Sequence, residues 1–262
     1  VEVASASGTK IYSPDGSEYL DLLAGISVCN LGHCHPELTQ TICHQAQKLV
    51  HVSNLFYQQE QLDLAESLLA TSEAADKVFF CNSGAEANEA AIKMARRYMQ
   101  VVQNRKAHEI ITLEGSFHGR TLATLTATGQ PKVKEGYDPL PPGFVTIPFN
   151  DLQALEEAIN PSTAGVMLEV IQGEGGIRPL PYEYLQKAQQ LCRERDVLLI
   201  IDEVQSGMGR TGRMWAHQHF DLMPDVFTTA KALANGLPMG ALLTGNRVSQ
   251  AFTAWSHATT FG

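Results

Sequence analysis

A few short stretches of the sequence carry residue types that can do chemistry. In Phe79-Phe80-Cys81-Asn82-Ser83-Gly84-Ala85-Glu86-Ala87-Asn88-Glu89, an apolar run enters Asn-Ser-Gly and then an alanine-rich helical pattern. The first N–H groups of a helix have no partner within it and carry the positive end of its dipole. With a serine hydroxyl beside them and Gly84 allowing close backbone approach, this stretch reads as a phosphate site. It fits an ordinary N-cap equally well, with Ser83 capping and Glu86 in the first turn. The nucleotide loops G-x-x-x-x-G-K-[ST] and G-x-G-x-x-G are absent. The run Leu198-Leu199-Ile200-Ile201-Asp202-Glu203-Val204-Gln205 ends a buried strand pattern in acid. A carboxylate there needs a cationic or hydrogen-bonding partner. Strand alternation puts Asp202 and Val204 on one face, so an acid and a small apolar group would meet one ligand at its edge and its flat side. A capping or loop-bridging acid pair is the alternative. Lys231, set in Phe227-Thr228-Thr229-Ala230-Lys231-Ala232-Leu233-Ala234-Asn235-Gly236, is a candidate desolvated amine. Schiff-base chemistry needs such an amine, because only the neutral form attacks a carbonyl; a lone lysine also fits a snorkelling surface residue. Phe117-His118-Gly119-Arg120-Thr121 places an aromatic face, a titratable ring and a guanidinium on one loop. Arg120 could fork a carboxylate or form a surface ion pair. Glu174, in Gly173-Glu174-Gly175-Gly176, is a functional acid or part of a plain turn. Cys29, His33, Cys34 and His35 lack the CxxC or HExxH spacing of a zinc site, so no metal is expected.

Elements must bring these residues together, and composition bounds which. The chain has 262 residues, 44% hydrophobic and 18% charged, enough for a sizeable core in one large domain, or in one domain plus pieces of another. A net charge of −9 argues against a broad nucleic-acid surface. The longest strongly apolar run, Val197 to Ile201, is far short of a membrane span. Five cysteines without framework spacing point to reduced thiols in a cytosol-like compartment. Strand-length apolar stretches at Lys77–Cys81, Glu109–Leu113, 165–170 and 197–201 alternate with helical patterns at 85–100, 151–159 and 182–196. That alternation predicts an α/β fold with a mostly parallel sheet and helices on both faces. The proline-rich stretch 130–148 reads as a long surface connection, and 205–213 as a second loop. Residues 1–50, with a hairpin signal at Pro14-Asp15-Gly16, read as a separate N-terminal segment, leaving 51–262 as the large domain.

Each stretch is weak alone; their order is not. Gly32-His33-Cys34-His35-Pro36, Asn82-Ser83-Gly84-Ala85-Glu86-Ala87-Asn88-Glu89, Phe117-His118-Gly119-Arg120-Thr121, Gln172-Gly173-Glu174-Gly175-Gly176, Asp202-Glu203-Val204-Gln205-Ser206-Gly207 and Lys231 with Asn235-Gly236 run the length of the chain. The sequence resembles the class III (subgroup II) aminotransferases, pyridoxal 5'-phosphate enzymes of fold type I. The resemblance implies that Lys231 binds the cofactor and moves protons, and that Asp202 keeps the pyridine nitrogen protonated. It implies that Val204 and Phe117 sandwich the ring beside His118, and that Gln205 reaches the phenolic oxygen. Ser83, Gly84 and Ala85 would hold the phosphate, completed by Thr260 from a neighbouring subunit, with Thr259 the next candidate. Arg120 resembles the arginine for the substrate α-carboxylate, and Glu174 the switch acid that pairs with an arginine of a C-terminal small domain, which is expected to lie outside this chain. Leu22 to His33 and Val52 to Tyr57 are most similar to members acting on N2-acetyl-L-ornithine with 2-oxoglutarate as acceptor. Members acting on free ornithine carry tyrosine at the position of Ile26 and tryptophan at that of His118. Succinylornithine, ornithine or 4-aminobutyrate as substrate, an aminomutase, and a cofactor-binding module without turnover are the alternatives. The resemblance further implies a homodimer in the cytoplasm, or in an organelle if a transit peptide has been removed, with no nucleic-acid or membrane partner.

Overall fold

The computed structural model describes residues 1–262. Three short strands, β1 (Ser5–Ser7), β2 (Lys10–Tyr12) and β3 (Glu18–Leu20), form an antiparallel sheet of their own. The hairpin expected at Pro14-Asp15-Gly16 joins β2 to β3, with Asp15 Oδ1 accepting the Ser17 N–H at 3.0 Å.

The larger sheet comprises β4 (Lys77–Cys81), β5 (Glu109–Leu113), β6 (Phe144–Ile147), β7 (Thr163–Leu168), β10 (Leu198–Asp202), β11 (Val226–Thr229) and β12 (Gly240–Thr244). Between β7 and β10 lies a two-residue ladder, β8 (Ile171–Gln172) with β9 (Arg178–Pro179). The seven strands are ordered β4-β12-β11-β10-β7-β5-β6. The neighbours from β11 through to β6 pair in parallel, whereas β12 is antiparallel to both β11 and β4. The expectation of a mostly parallel sheet holds with that one reversed strand. One expectation fails in part: the stretch 130–148 is not all surface connection, because its end folds into the edge strand β6.

Alternation along the strands decides which side each residue faces. Ile111, Val166, Leu168, Leu199 and Ile201 join the core under the helix Tyr182–Glu194, with Tyr184, Leu185 and Ala188. Their neighbours Ile110, Met167, Leu198 and Ile200 join the opposite core under the helix Gly84–Arg97, with Ala91, Met94 and Ala95. Strands apolar on both faces are what a covered parallel sheet requires. The small alanines let the helix Gly84–Arg97 lie close against the sheet. The same alternation sends Asp202 to the Gly84–Arg97 side and Glu203 to the other. Glu203, fully buried, meets His217 there at 3.0 Å and Ser206 Oγ at 2.7 Å.

The segment 21–35 runs over the end of the sheet through a left-handed turn at Ala24–Ser27. It is fastened to the large unit through Asn235, Met208 and Arg210, the last donating to Asn30 Oδ1. Asn235 accepts the Leu31 N–H at 2.9 Å and donates to Gly32 O at 3.2 Å, and Asn30 Nδ2 donates to Met208 O at 3.0 Å. His33 Nε2 is bonded to Asp21 Oδ2 at 2.7 Å. No helix is long and apolar enough to cross a membrane.

Candidate active site

The C-terminal ends of the parallel strands and the start of one helix surround a cavity of about 420 Å³. In an open α/β sheet this is where ligands bind, and the volume is that of a small-molecule pocket. Lys231 lines it, just beyond β11, in a left-handed backbone conformation with φ of 44°. Such strain in a non-glycine residue marks a position held by its surroundings. Burial lowers the Lys231 pKa, against the attraction of Asp202, Glu174 and Glu169, so the neutral amine is easier to reach than on a surface lysine.

Asp202 ends β10 on the cavity floor and is 4% exposed. Three donors hold it: Asn88 Nδ2 and His118 Nδ1, both at 2.8 Å from Oδ2, and the Val204 N–H at 3.0 Å from Oδ1. Asn88 is itself fixed by donating to His118 O at 2.8 Å and accepting from Thr228 Oγ1 at 2.7 Å. Burial opposes charge on His118, but the hydrogen bond to Asp202 and the negative charges of Asp202 and Glu169 outweigh it and raise its pKa. His118 also lines the cavity, with its ring turned to the acid.

The helix Gly84–Arg97 starts at the cavity wall, and Ser83, Gly84 and Ala85 line it. The N-cap reading of this stretch is realised at the cavity wall. Ser83 Oγ accepts the Glu86 N–H at 3.1 Å as an N-cap, and Glu86 Oε2 reaches back to the Asn82 N–H at 2.7 Å. The side chain of Val204 lies directly against Gly84: a Cβ there would sit 2.7 Å from Val204 Cγ1. Phe117, Arg120, Glu174 and Gln205 complete the lining, with the Arg120 guanidinium 5.4 Å from the centre of the Phe117 ring. Gln205 packs on Gly173, where a Cβ would lie 1.7 Å from its Oε1.

Of the residues expected from sequence, all but Thr260 and its alternative Thr259 line this one cavity. Thr260 lies in a neighbouring cavity with Asn82 and Glu86. Sequence reasoning missed Asn88 and Glu169. A buried asparagine inside an alanine-rich helix was the available signal for Asn88. For Glu169 it was an acid directly after an apolar strand, the pattern that singled out Asp202.

The family model for aminotransferase class-III matches residues 1–262. An acetylornithine aminotransferase of Methanocaldococcus jannaschii is 50% identical over 262 residues, covering 100% of this chain and 66% of the relative. The N-acetylornithine aminotransferase structure from Stenotrophomonas maltophilia K279a superposes with a TM-score of 0.83 at 44% identity, over 97% of this chain and 64% of that one. An ornithine aminotransferase from Toxoplasma gondii, with partial occupancy of pyridoxal phosphate at its active site, superposes with a TM-score of 0.95 at 33% identity, over 100% and 63%. The chain thus spans less than two thirds, 62–66%, of the length of the curated relatives it matches. The cavity fits that cofactor group by group. It offers a desolvated amine for an aldehyde, a buried carboxylate for a protonated ring nitrogen, and a helix start cradled by glycine for a phosphate. This agreement of motif, fold and cavity places the chain in the class-III aminotransferase family, whose cofactor is pyridoxal 5'-phosphate.

Proposed function

We propose that the protein transfers the δ-amino group of N2-acetyl-L-ornithine to 2-oxoglutarate, giving N-acetylglutamate 5-semialdehyde and glutamate. The observation that carries this reading is the meeting of Lys231, Asp202 and the Ser83–Ala85 helix start in one cavity of a chain 50% identical to an acetylornithine aminotransferase. When bound, pyridoxal phosphate supplies an aldehyde for an amine and a ring that takes up the electrons of a carbanion. The protein's own residues do the rest. Lys231 would hold the cofactor and, as a free amine, would be the acid–base that carries a proton from the substrate carbon bearing nitrogen to the carbon on the far side of that nitrogen. Asp202, oriented by its three donors, would face the ring nitrogen and hold a proton there. Phe117 and Val204 give that ring apolar walls beside His118, and Gln205 donates to its phenolic oxygen. Ser83, Gly84 and Ala85 take the phosphate. Arg120 forks the substrate α-carboxylate, and Glu174 yields or pairs according to which end of a substrate arrives.

Two copies of the chain complete the site, Thr260 of one reaching the phosphate held by the other. The exposed Leu22, Leu55, Tyr57 and Trp255, of which the last two are each 95% exposed, support such an interface. In this reading residues 1–50 form a segment that closes the cavity and 51–262 form the cofactor-binding domain. The five cysteines are unpaired, which supports a cytoplasmic setting.

The test is the visible spectrum of the purified protein with pyridoxal phosphate. A band of lysine-bound cofactor should convert on adding N2-acetylornithine and return on adding 2-oxoglutarate. Conversion by free ornithine in its place would move the assignment to a different member of the family. A band that no amino donor changes would leave a cofactor-binding module without turnover.

A further inference from the structure

Two acids stand side by side on the cavity floor, and only Asp202 has a role in the reading above. β7 and β10 are parallel neighbours with Leu168 opposite Ile201, so Glu169, just past the end of β7, and Asp202, the last residue of β10, stand side by side. Glu169 is 6% exposed and lines the same cavity. Its two oxygens are divided between two loops: Oε2 accepts the Phe117 N–H at 3.0 Å, and Oε1 accepts the Gly173 N–H at 3.4 Å. Phe117 opens the loop that carries His118, which holds Asp202, and Arg120, which stacks on the Phe117 ring. Gly173 precedes Glu174 and is the seat of Gln205. One carboxylate therefore touches the backbone of both loops that present the aromatic face and the switch acid. A buried carboxylate is costly unless its oxygens are satisfied, and here both are occupied by N–H groups of the site's own loops.

We propose that Glu169 is a positioning residue that fixes the Phe117–Arg120 loop and the Gly173–Gly176 turn relative to each other and to Asp202, and through them sets the ring face and the substrate-facing charges. The inference deepens the proposed aminotransferase function and rests on it for its catalytic meaning. The chemistry demands an acid specifically. A glutamine offers one acceptor oxygen and presents an NH2 to the second N–H, so it can hold one loop but not both.

Hydrogen exchange on the cofactor-free protein tests this directly. In Glu169→Ala, exchange should rise about tenfold or more in both 116–119 and 172–176, while β7 and β10 stay protected; in Glu169→Gln only one of the two should rise. With pyridoxal phosphate added, the induced visible circular dichroism per bound cofactor should fall at least twofold in Glu169→Ala, with Glu169→Gln between it and the wild type. Loss of stability alone would not move that signal. Wild-type exchange in both loops of folded Glu169→Ala overturns the proposal. If that variant does not fold, wild-type exchange in both loops of Glu169→Gln overturns it. A wild type that binds no pyridoxal phosphate would sink the proposed function, while the exchange result would still decide the role of Glu169.

Discussion

Lys231 is half-buried where an ammonium is poorly solvated, and its pKa falls below the ordinary 10.5 for that reason first. A base whose pKa falls on folding is a net cost to stability while protonated, and the cost lifts only as pH rises towards the unfolded value. At pH 7, well below the unfolded value, the cost is present. We therefore expect Lys231→Met to raise the Tm of the cofactor-free protein at pH 7 while abolishing the band of lysine-bound cofactor. A calorimetric scan beside a visible spectrum reads both, and an unchanged or lower Tm would contradict the desolvation argument. Glu169 has the opposite sign. Burial pushes its carboxyl up to about 7 from the usual 4.5, with Asp202 adding to the rise and His118 opposing it. Its ionisation thus costs stability progressively between pH 4.5 and 7, and fully above that. Glu169→Gln loses one hydrogen bond at any pH but escapes this cost, so its Tm relative to wild type should be higher at pH 8 than at pH 5. Gly84→Ala would bring a Cβ to 2.7 Å from Val204 Cγ1. Moving Val204 should cost about 1–3 kcal/mol and weaken cofactor binding, measurable by urea unfolding and by titration. At this scale most of the site was legible, because Lys231, Asp202 and Ser83-Gly84 sit in distinctive local settings. Glu169 was not: its importance comes from standing beside Asp202, a neighbour 33 positions away in sequence and fixed by strand order rather than by any motif.

The helix Gly84–Arg97 and the ends of β7, β10 and β11 do the positioning, and they do it because one face of each is committed to the core. Ile200 and Leu198 bury against this helix, so Asp202, two residues further, has to meet it too, at Asn88. Ser83→Ala removes the Glu86 cap and should cost about 1 kcal/mol of stability. If the helix start also takes the phosphate, cofactor affinity falls as well; a loss of stability with unchanged affinity would leave Ser83 a cap alone. The alternating pattern of strands and helices was readable because long periodic segments carry it. The strands β11 and β12, only 4 and 5 residues long, were not singled out, and the reversal of β12 leaves no local trace. β6 escaped because it is short and sits at the end of a proline-rich stretch, whose composition speaks for a loop. The alternation of apolar residues named the two faces of the sheet but could not order its strands.

For the molecule as a whole, several large and highly exposed apolar side chains stand out in a chain of net charge −9. Leu22, Leu23 and Tyr57 are 87%, 67% and 95% exposed, more than a solitary soluble subunit usually leaves uncovered. Sedimentation should find a dimer, and Tyr57→Asp combined with Leu22→Asp should shift it towards monomer. A wild-type monomer at micromolar concentration would remove Thr260 from the proposed site. Nothing in the periodicity of the sequence announces this surface, because an apolar residue at an interface between chains reads like one at an interface within a chain. The Asn235 fastening has a consequence for how the protein is made. Its partners Leu31 and Gly32 lie about 200 residues earlier, and the cavity lining runs from Val28 to Met239. A nascent chain emerging from the ribosome therefore has strands and helices long before it has a cavity, since the first wall waits for the last to be synthesised. Cofactor can be captured only after Met239 has been made, so loading follows the folding of the strands and helices rather than guiding their first formation.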